Sequence, residues 1–364
     1  MSVETRALES LDDAKRVGDL VYSTYGLTYH RGWLYEPEML LKLNRSGALN
    51  SMIAIDRSAG SENVIGHIAT IRPYFEMLED EAQAAPPTVL EVGLSIVHPE
   101  FRSKNVQNVM SMALLMHGTQ RFKGLRGAYM KCVTQHTRSQ QSARRFMGRA
   151  MAIHLGGVPA WVQCDQREST AGPLTTVAMH CPLGEHAPTT SYVPDAEANL
   201  ARQLFEAASL SRKFIAVRPG AADLPQGETK LTTRFDPARR QGTIRVTEPG
   251  HDLVERILDR ADWLVGGAMQ HVTILLPLSS AAVAAAVPDL QEAGLFLAGF
   301  IPDLEGVDTM ILQILDVPEI DLATIETVGD EARTLLSEVF RRWRATREQT
   351  LTGTSLALPA ALEP

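Results

Sequence analysis

Arg102 and Lys104 stand in the short loop Arg102-Ser103-Lys104-Asn105, between an apolar run and a segment of helical pattern. The run before them holds Val89, Val92, Leu94, Ile96 and Val97 and breaks at His98-Pro99. After them Val106, Val109, Met110, Ala113 and Leu114 recur at helical spacing. A helix start leaves backbone N–H groups without intrahelical partners and carries partial positive charge. A basic loop leading into such a start therefore suits phosphate. Of the other groups able to do chemistry, His67 in VIGHIA alternates with apolar neighbours. It reads as a core histidine facing a sheet, with general base as the alternative. His117, His180, Cys132, Cys164 and Cys181 lack metal-ligand spacing, so no metal site is expected. The chain has no P-loop, no G-x-S-x-G and no H-E-x-x-H.

The elements that must position these residues follow from pattern and punctuation. Pro99 has no N–H to give a ladder, so the strand from Thr88 stops there and a loop and helix follow. Upstream, Ser10 with Asp13 three residues on opens a helix whose Ala14, Val17, Val21 and Tyr25 share a face. Pro37 falls early in a second helix. Between the two, Tyr25, Tyr29, Trp33 and Tyr35 with Gly26 and Gly32 either pack the helix pair or form a lid over a cleft. Ser51 to Asp56 and Val64 to Ile71 read as strands joined by a turn at Ser58-Ala59-Gly60-Ser61. Residues 76–87 read as a polar loop. Ala128 to Thr134 is a further strand, followed by a short basic helix, and Met151 to Leu155 and Thr175 to His180 supply two more strands.

Beyond a linker at Gly184 to Thr190, Ala196 to Ser209 is an amphipathic helix and residues 218–242 a loop or edge. Gly242 to Val246 reads as a strand and His251 to Ala261 as a helix. A strand (Val272 to Leu276), a helix kinked or restarted by Pro288, and strands Leu295 to Ile301 and Asp308 to Leu315 follow. Glu331 to Arg347 is the last helix, and residues 348–364 read as a frayed tail.

The 364 residues suggest roughly two domains at ~150 residues each. A net charge of −8 argues against nucleic acid and membrane surfaces as partners. The Met1 end has no basic n-region or apolar core, and no run of ~18 apolar residues reads as a span. Three scattered cysteines fit a reducing, cytoplasmic setting better than a disulfide framework.

The strand, V-H-P-E-F-R, basic loop and helix resemble the acyl-CoA-binding core of the GNAT acetyltransferase superfamily, in which a V-x-P strand end precedes R/Q-x-x-G-x-G/A. The segments YGLTYHRGWLYEPEMLLKL, VIGHIA, VHPEFR, VTQHTRSQ and SYVPDAEANLARQLFEAASLSRKF resemble one subgroup, also found fused to anti-sigma or histidine-kinase-like ATPase domains. The resemblance runs through nearly the whole chain. It implies an α/β fold of tandem GNAT-like mixed-sheet domains: residues 1–185 binding acyl-CoA, and 186–347 degenerate because no V-x-P-x-x-R loop precedes its helix.

It further implies acetyl-CoA or another acyl-CoA as co-substrate and a small-molecule amine acceptor. A protein partner or homodimer is left open. Cofactor contacts fall at Ile96, Val97, Arg102, Ser103, Lys104, Asn105, Val106, Gln107 and Asn108, with an N–H at Ile96 or Val97 polarising the thioester carbonyl. Glu91 resembles the base position, with pairing to a neighbouring Arg as the plainer role. His136 either relays a proton or caps the helix near Ser139. The family's usual acid is a Tyr, none lies between Tyr129 and Tyr192, and Ser139 or Ser142 stands in for it. Arg138, Arg144 and Arg145 either meet CoA phosphates or remain solvated. Asn105 and Gln107 replace the motif's glycines: Asn tolerates the left-handed region, and Gln107 is expected to swing aside or donate its amide to a phosphate. The alternative function is a degenerate GNAT-like protein that binds a ligand or partner without catalysis.

Overall fold

The capping box expected at Ser10 forms. Its hydroxyl accepts from the Asp13 N–H at 3.0 Å, and the Asp13 carboxylate accepts from the Ser10 N–H at 3.1 Å. In the computed structural model, residues 3–29, 31–58, 62–72, 87–102, 104–161, 172–184, 186, 189–317 and 319–351 are described. Ser103, Cys164, most of the polar loop before the central strand, the tip of the turn after Ser58 and the tail from 352 lie outside them. The chain divides into two compact units, Met1–Lys131 with Ala160–Ala171, and Cys132–Pro159 with Gly172–Pro364.

The first unit contains β1 (Val3–Ala7), α1 (Leu11–Tyr25), α2 (Pro37–Ser46), β2 (Leu49–Asp56), β3 (Asn63–Ile71), β4 (Val89–Val97), α3 (Val106–Arg121) and β5 (Gly127–Val133) as far as Lys131. Its strands run in the order β1-β2-β3-β4-β5, antiparallel except for β4 with β5. Every residue of β2 is buried, as expected of a strand covered on both faces. On one face a Cβ at Gly66 would lie 2.8 Å from the Met110 sulfur of α3, so this glycine lets helix and sheet close up. On the other, Ile53, Ala69, Leu94 and Ile96 form one core with Val17 and Val21 of α1 and Leu40 of α2. The aromatic stretch joins that core: Tyr29, Trp33 and Tyr35 pack against it, and the Tyr35 hydroxyl donates to the Gly26 carbonyl at 2.8 Å. The strand β1 had no counterpart in the sequence reading; its five residues carry no apolar run, and β2 organises them.

The second unit contains α4 (Arg138–Arg145), β6 (Arg149–Val158), β7 (Leu174–Pro182), β8 (Thr189–Pro194), α5 (Ala198–Ala207), β9 (Arg212–Val217), β10 (Lys230–Asp236), β11 (Gln241–Glu248), α6 (Leu253–Gly266), β12 (His271–Pro277), α7 (Ala281–Glu292), β13 (Phe296–Leu304), β14 (Val307–Leu315) and α8 (Asp330–Leu351). Its sheet runs β7-β6-β13-β14-β12-β11-β10, with β11 and β12 parallel and the other pairs antiparallel; β8 and β9 form a separate parallel pair. Thus β6 and β7, from the first half of the sequence, lie in this unit, β6 meeting β13 at Ala152 and Gly299. The expected linker is partly strand, since β8 begins at Thr189. Nor does Pro288 restart the helix: α7 continues through it, in a largely buried segment where packing outweighs the lost hydrogen bond.

Candidate active site

The central strand separates from its parallel neighbour early. Val89, Leu90 and Glu91 register with Gly127, Ala128 and Tyr129, and the registered pairing ends there. On its other side β4 stays paired with β3 to Val97, through a bulge. Gly93 faces Ala69 and Ile96 faces His67, so Leu94 and Ser95 share the place opposite Ile68. Leu94 takes a left-handed φ of 53°.

Ladder parity gives the directions of the Ile96 and Val97 N–H groups. The His98 N–H donates to the Ile65 carbonyl on β3 at 2.9 Å. Successive residues of an antiparallel strand point their N–H groups to opposite sides. Ile96 therefore directs its N–H toward β3, and Val97 directs its N–H away, to the side where pairing with β5 has ended. The Val97 carbonyl on that side accepts from Arg102 Nε at 3.4 Å.

Asn105 is the N-cap of α3 with φ 62° and ψ 9°, a left-handed residue as expected, and no side chain caps the helix. The first intrahelical bond runs from the Val109 N–H to the Asn105 carbonyl at 3.2 Å. The N–H groups of Val106, Gln107 and Asn108 thus form the open first turn. The side chains of Asn105 and Gln107 are both engaged: Asn105 Oδ1 accepts from Asn108 Nδ2 at 2.6 Å, and Gln107 Oε1 accepts from the Ser95 hydroxyl. Lys104 Nζ lies 4.6 Å above the Phe101 ring. A pyrophosphate fits these residues: a helix start with no side-chain cap, and two basic side chains in the loop before it.

Glu91 is largely buried, with Lys131 Nζ 3.7 Å from Oε2. Its neighbour is a lysine, where the sequence reading offered an arginine. His67 has the surroundings of a core histidine. It is fully buried, with Nδ1 3.0 Å from the Leu94 carbonyl and Nε2 3.0 Å from the Ser51 hydroxyl, and burial lowers its pKa to about 4. The strand pattern gave its alternation but not these partners, which come from β2 and from the bulge.

His136 and Ser139 fall in the second unit, in the turn after β5 and in the first turn of α4. Ser139 lies beside Cys132, whose thiol burial pushes up to about 12 while the Ser139 hydroxyl works the other way. Arg144 is committed elsewhere, to Glu331 at 2.5 Å. Arg138 and Arg145 are exposed.

The chain is a mixed α/β protein with a bulged central strand feeding a basic helix start. No family model and no curated protein sequence matches it. Among solved structures, it is similar to Arabidopsis thaliana NAA60 in complex with acetyl-CoA (14% identity, 50% of this chain and 99% of that one, TM-score 0.38). Mutant forms of the spermidine/spermine N-acetyltransferase SpeG from Vibrio cholerae match at 13% identity over 50% of this chain and 95% of that one, TM-score 0.35. The PaiA N-acetyltransferase from Thermoplasma acidophilum in complex with coenzyme A matches at 16% identity over 50% and 100%, TM-score 0.33.

Proposed function

We propose that the chain is an acyl-CoA-dependent N-acyltransferase that moves an acetyl or similar acyl group to the amine of a small-molecule or amino-acid-like acceptor. The observation that carries this reading is the junction of β4 and α3. A strand released from β5 after Glu91 leads directly to an open helix start with Asn105 already left-handed. In this reading Arg102, Ser103, Lys104 and the N–H groups from Asn105 to Asn108 hold the CoA pyrophosphate. The Val97 N–H, flanked by Ile96, polarises the thioester carbonyl.

The acceptor nitrogen attacks that carbonyl, the C–S bond breaks, the nitrogen gives up a proton and the thiolate takes one up. Glu91 is the proposed base, and His136 and Ser139 are kept as candidate relay and acid on their chemistry alone. The reading extends to two GNAT-like domains in tandem, 1–185 and 186–347, with a single cofactor site, in the first of them. Its support is the second strand-helix-strand-strand series, β12 to β14, with no basic loop at its helix start.

Calorimetric titration with acetyl-CoA tests the reading. We expect one equivalent per chain, weakened by ~10-fold or more in Arg102→Glu, since a like charge at a diphosphate removes a charge-assisted bond and adds repulsion. No binding, two equivalents, or an unaffected Arg102→Glu would overturn it.

A second reading has its own support. Glu91 is held beside Lys131, and the acid position has no tyrosine, which fits a ligand-binding protein without turnover. Acetyl-CoA binding with no acyl transfer to any amine in a broad acceptor panel would favour it.

A further inference from the structure

We infer that His67 is a positioning residue that fixes the bulge of β4, and through it decides which backbone N–H faces the acyl thioester. The inference rests on the reading of β4 given above. Leu94 and Ser95 occupy a place that a regular strand would fill with one residue, and Leu94 does so at φ 53°, which a leucine rarely adopts. The Leu94 carbonyl accepts from a side chain, His67 Nδ1, at 3.0 Å.

A carbonyl can only accept, so Nδ1 carries the hydrogen. Nε2 then has the lone pair and accepts from the Ser51 hydroxyl at 3.0 Å. The partners thus fix the tautomer, and burial keeps the ring neutral. Ser51 is itself tied down. Its N–H donates to Asn44 Oδ1 at 2.8 Å, and its carbonyl accepts from the Leu8 N–H at 3.0 Å. A chain of bonds therefore runs from α2 through β2 and β3 to the bulge.

The bulge matters because of parity. Were it to relax into regular strand, the residues beyond it would slip by one and every N–H and side chain would change side. Ile96 would then present its N–H where Val97 does. Ser95, whose hydroxyl holds Gln107 at the start of α3, would turn as well. Losing the His67 bond should therefore disturb contacts to the acyl group while leaving those to the diphosphate largely in place.

The test compares two isosteres in the full chain. His67→Asn puts an amide nitrogen where Nδ1 stands and keeps the bond to Leu94. His67→Gln reaches only the Ser51 end. The readouts are amide hydrogen exchange at Ser95, Ile96 and Val97, and the carbonyl ¹³C shift of carbonyl-labelled acetyl-CoA on binding, with calorimetry of CoA as reference.

We expect His67→Gln to speed exchange at those amides by about tenfold, the worth of one hydrogen bond, and to abolish the bound carbonyl shift with CoA affinity within about twofold. His67→Asn should restore both. Equal behaviour of the two variants, with wild-type exchange and shift and only a lower melting temperature, would overturn the proposal and leave His67 a core residue. If the wild type binds neither CoA nor acetyl-CoA, the functional reading fails by itself and the exchange comparison alone decides whether His67 positions the bulge. Should His67→Gln not fold, the same comparison is made on Leu94→Gly, whose glycine takes a positive φ without strain.

Discussion

In the proposed acyl-CoA reading Asn105 and Gln107 stand where a glycine would bring backbone close to phosphates, and the structure treats them differently. Asn105 adopts the left-handed conformation itself, while Gln107 is a helical residue whose side chain is turned to Ser95. Gln107→Gly should therefore tighten CoA binding a few-fold by clearing the first turn, while costing ~1 kcal/mol of helix stability. Calorimetry and a melting curve on this variant check both; lost stability with no gain in affinity favours the non-catalytic reading. A second residue-scale prediction concerns pH. Burial lowers His67 to about 4 and His180 to about 3, the latter helped by His186 and Arg212 and opposed by Asp303. Unfolded, both titrate near ~6.5, so below that pH the unfolded chain binds more protons. Stability should be full above ~6.5 and fall as pH drops toward ~4, by up to roughly 3 kcal/mol per histidine. Urea unfolding at stepped pH measures this, and His180→Leu should flatten the slope between ~4 and ~6.5.

At the scale of elements, strand β13 depends on a residue without a side chain. Gly299 has φ 137°, and a Cβ there would sit 2.2 Å from the Met151 carbonyl oxygen of β6. Gly299→Ala must therefore push β13 and β6 apart as well as strain the backbone. It should destabilise the second unit by more than ~3 kcal/mol, read as a fall in the denaturation midpoint. By contrast Ser10→Ala removes one reciprocal cap from α1 and should cost only ~1 kcal/mol in the same assay. A loss from Gly299→Ala no greater than that would show that the β6–β13 pairing can adjust.

For the whole molecule, the question is whether the first 185 residues can stand alone. Within the second unit, β6 carries Met151, Ala152, Ile153 and Leu155 fully buried and pairs with β13. A fragment ending at 185 would expose that strand edge and its apolar side chains, an invitation to aggregate. Expressed alone it should be insoluble or run as large aggregates on size exclusion. Co-expression with residues 186–364 should return it to solution. A soluble, monomeric fragment with a cooperative melt would show that β6 does not need its partner.

The sequence by itself determined what local chemistry controls. Pro99 ended a strand, Ser10 with Asp13 began a helix, and the spacing from Val106 to Leu114 set the helix behind the basic loop. Each rests on interactions a few residues apart, which leave a readable pattern. Tertiary structure decided the rest. The bulge at Leu94 depends on where β3 and β5 pair and part, and the opposite directions of the Ile96 and Val97 N–H groups follow from that register. The lysine beside Glu91, the partners that make His67 a fastening, and the pairing of β6 with β13 all join residues distant in sequence or on different strands. Alternation along one strand can say that a side chain faces a core; only the neighbouring strands determine what it meets there.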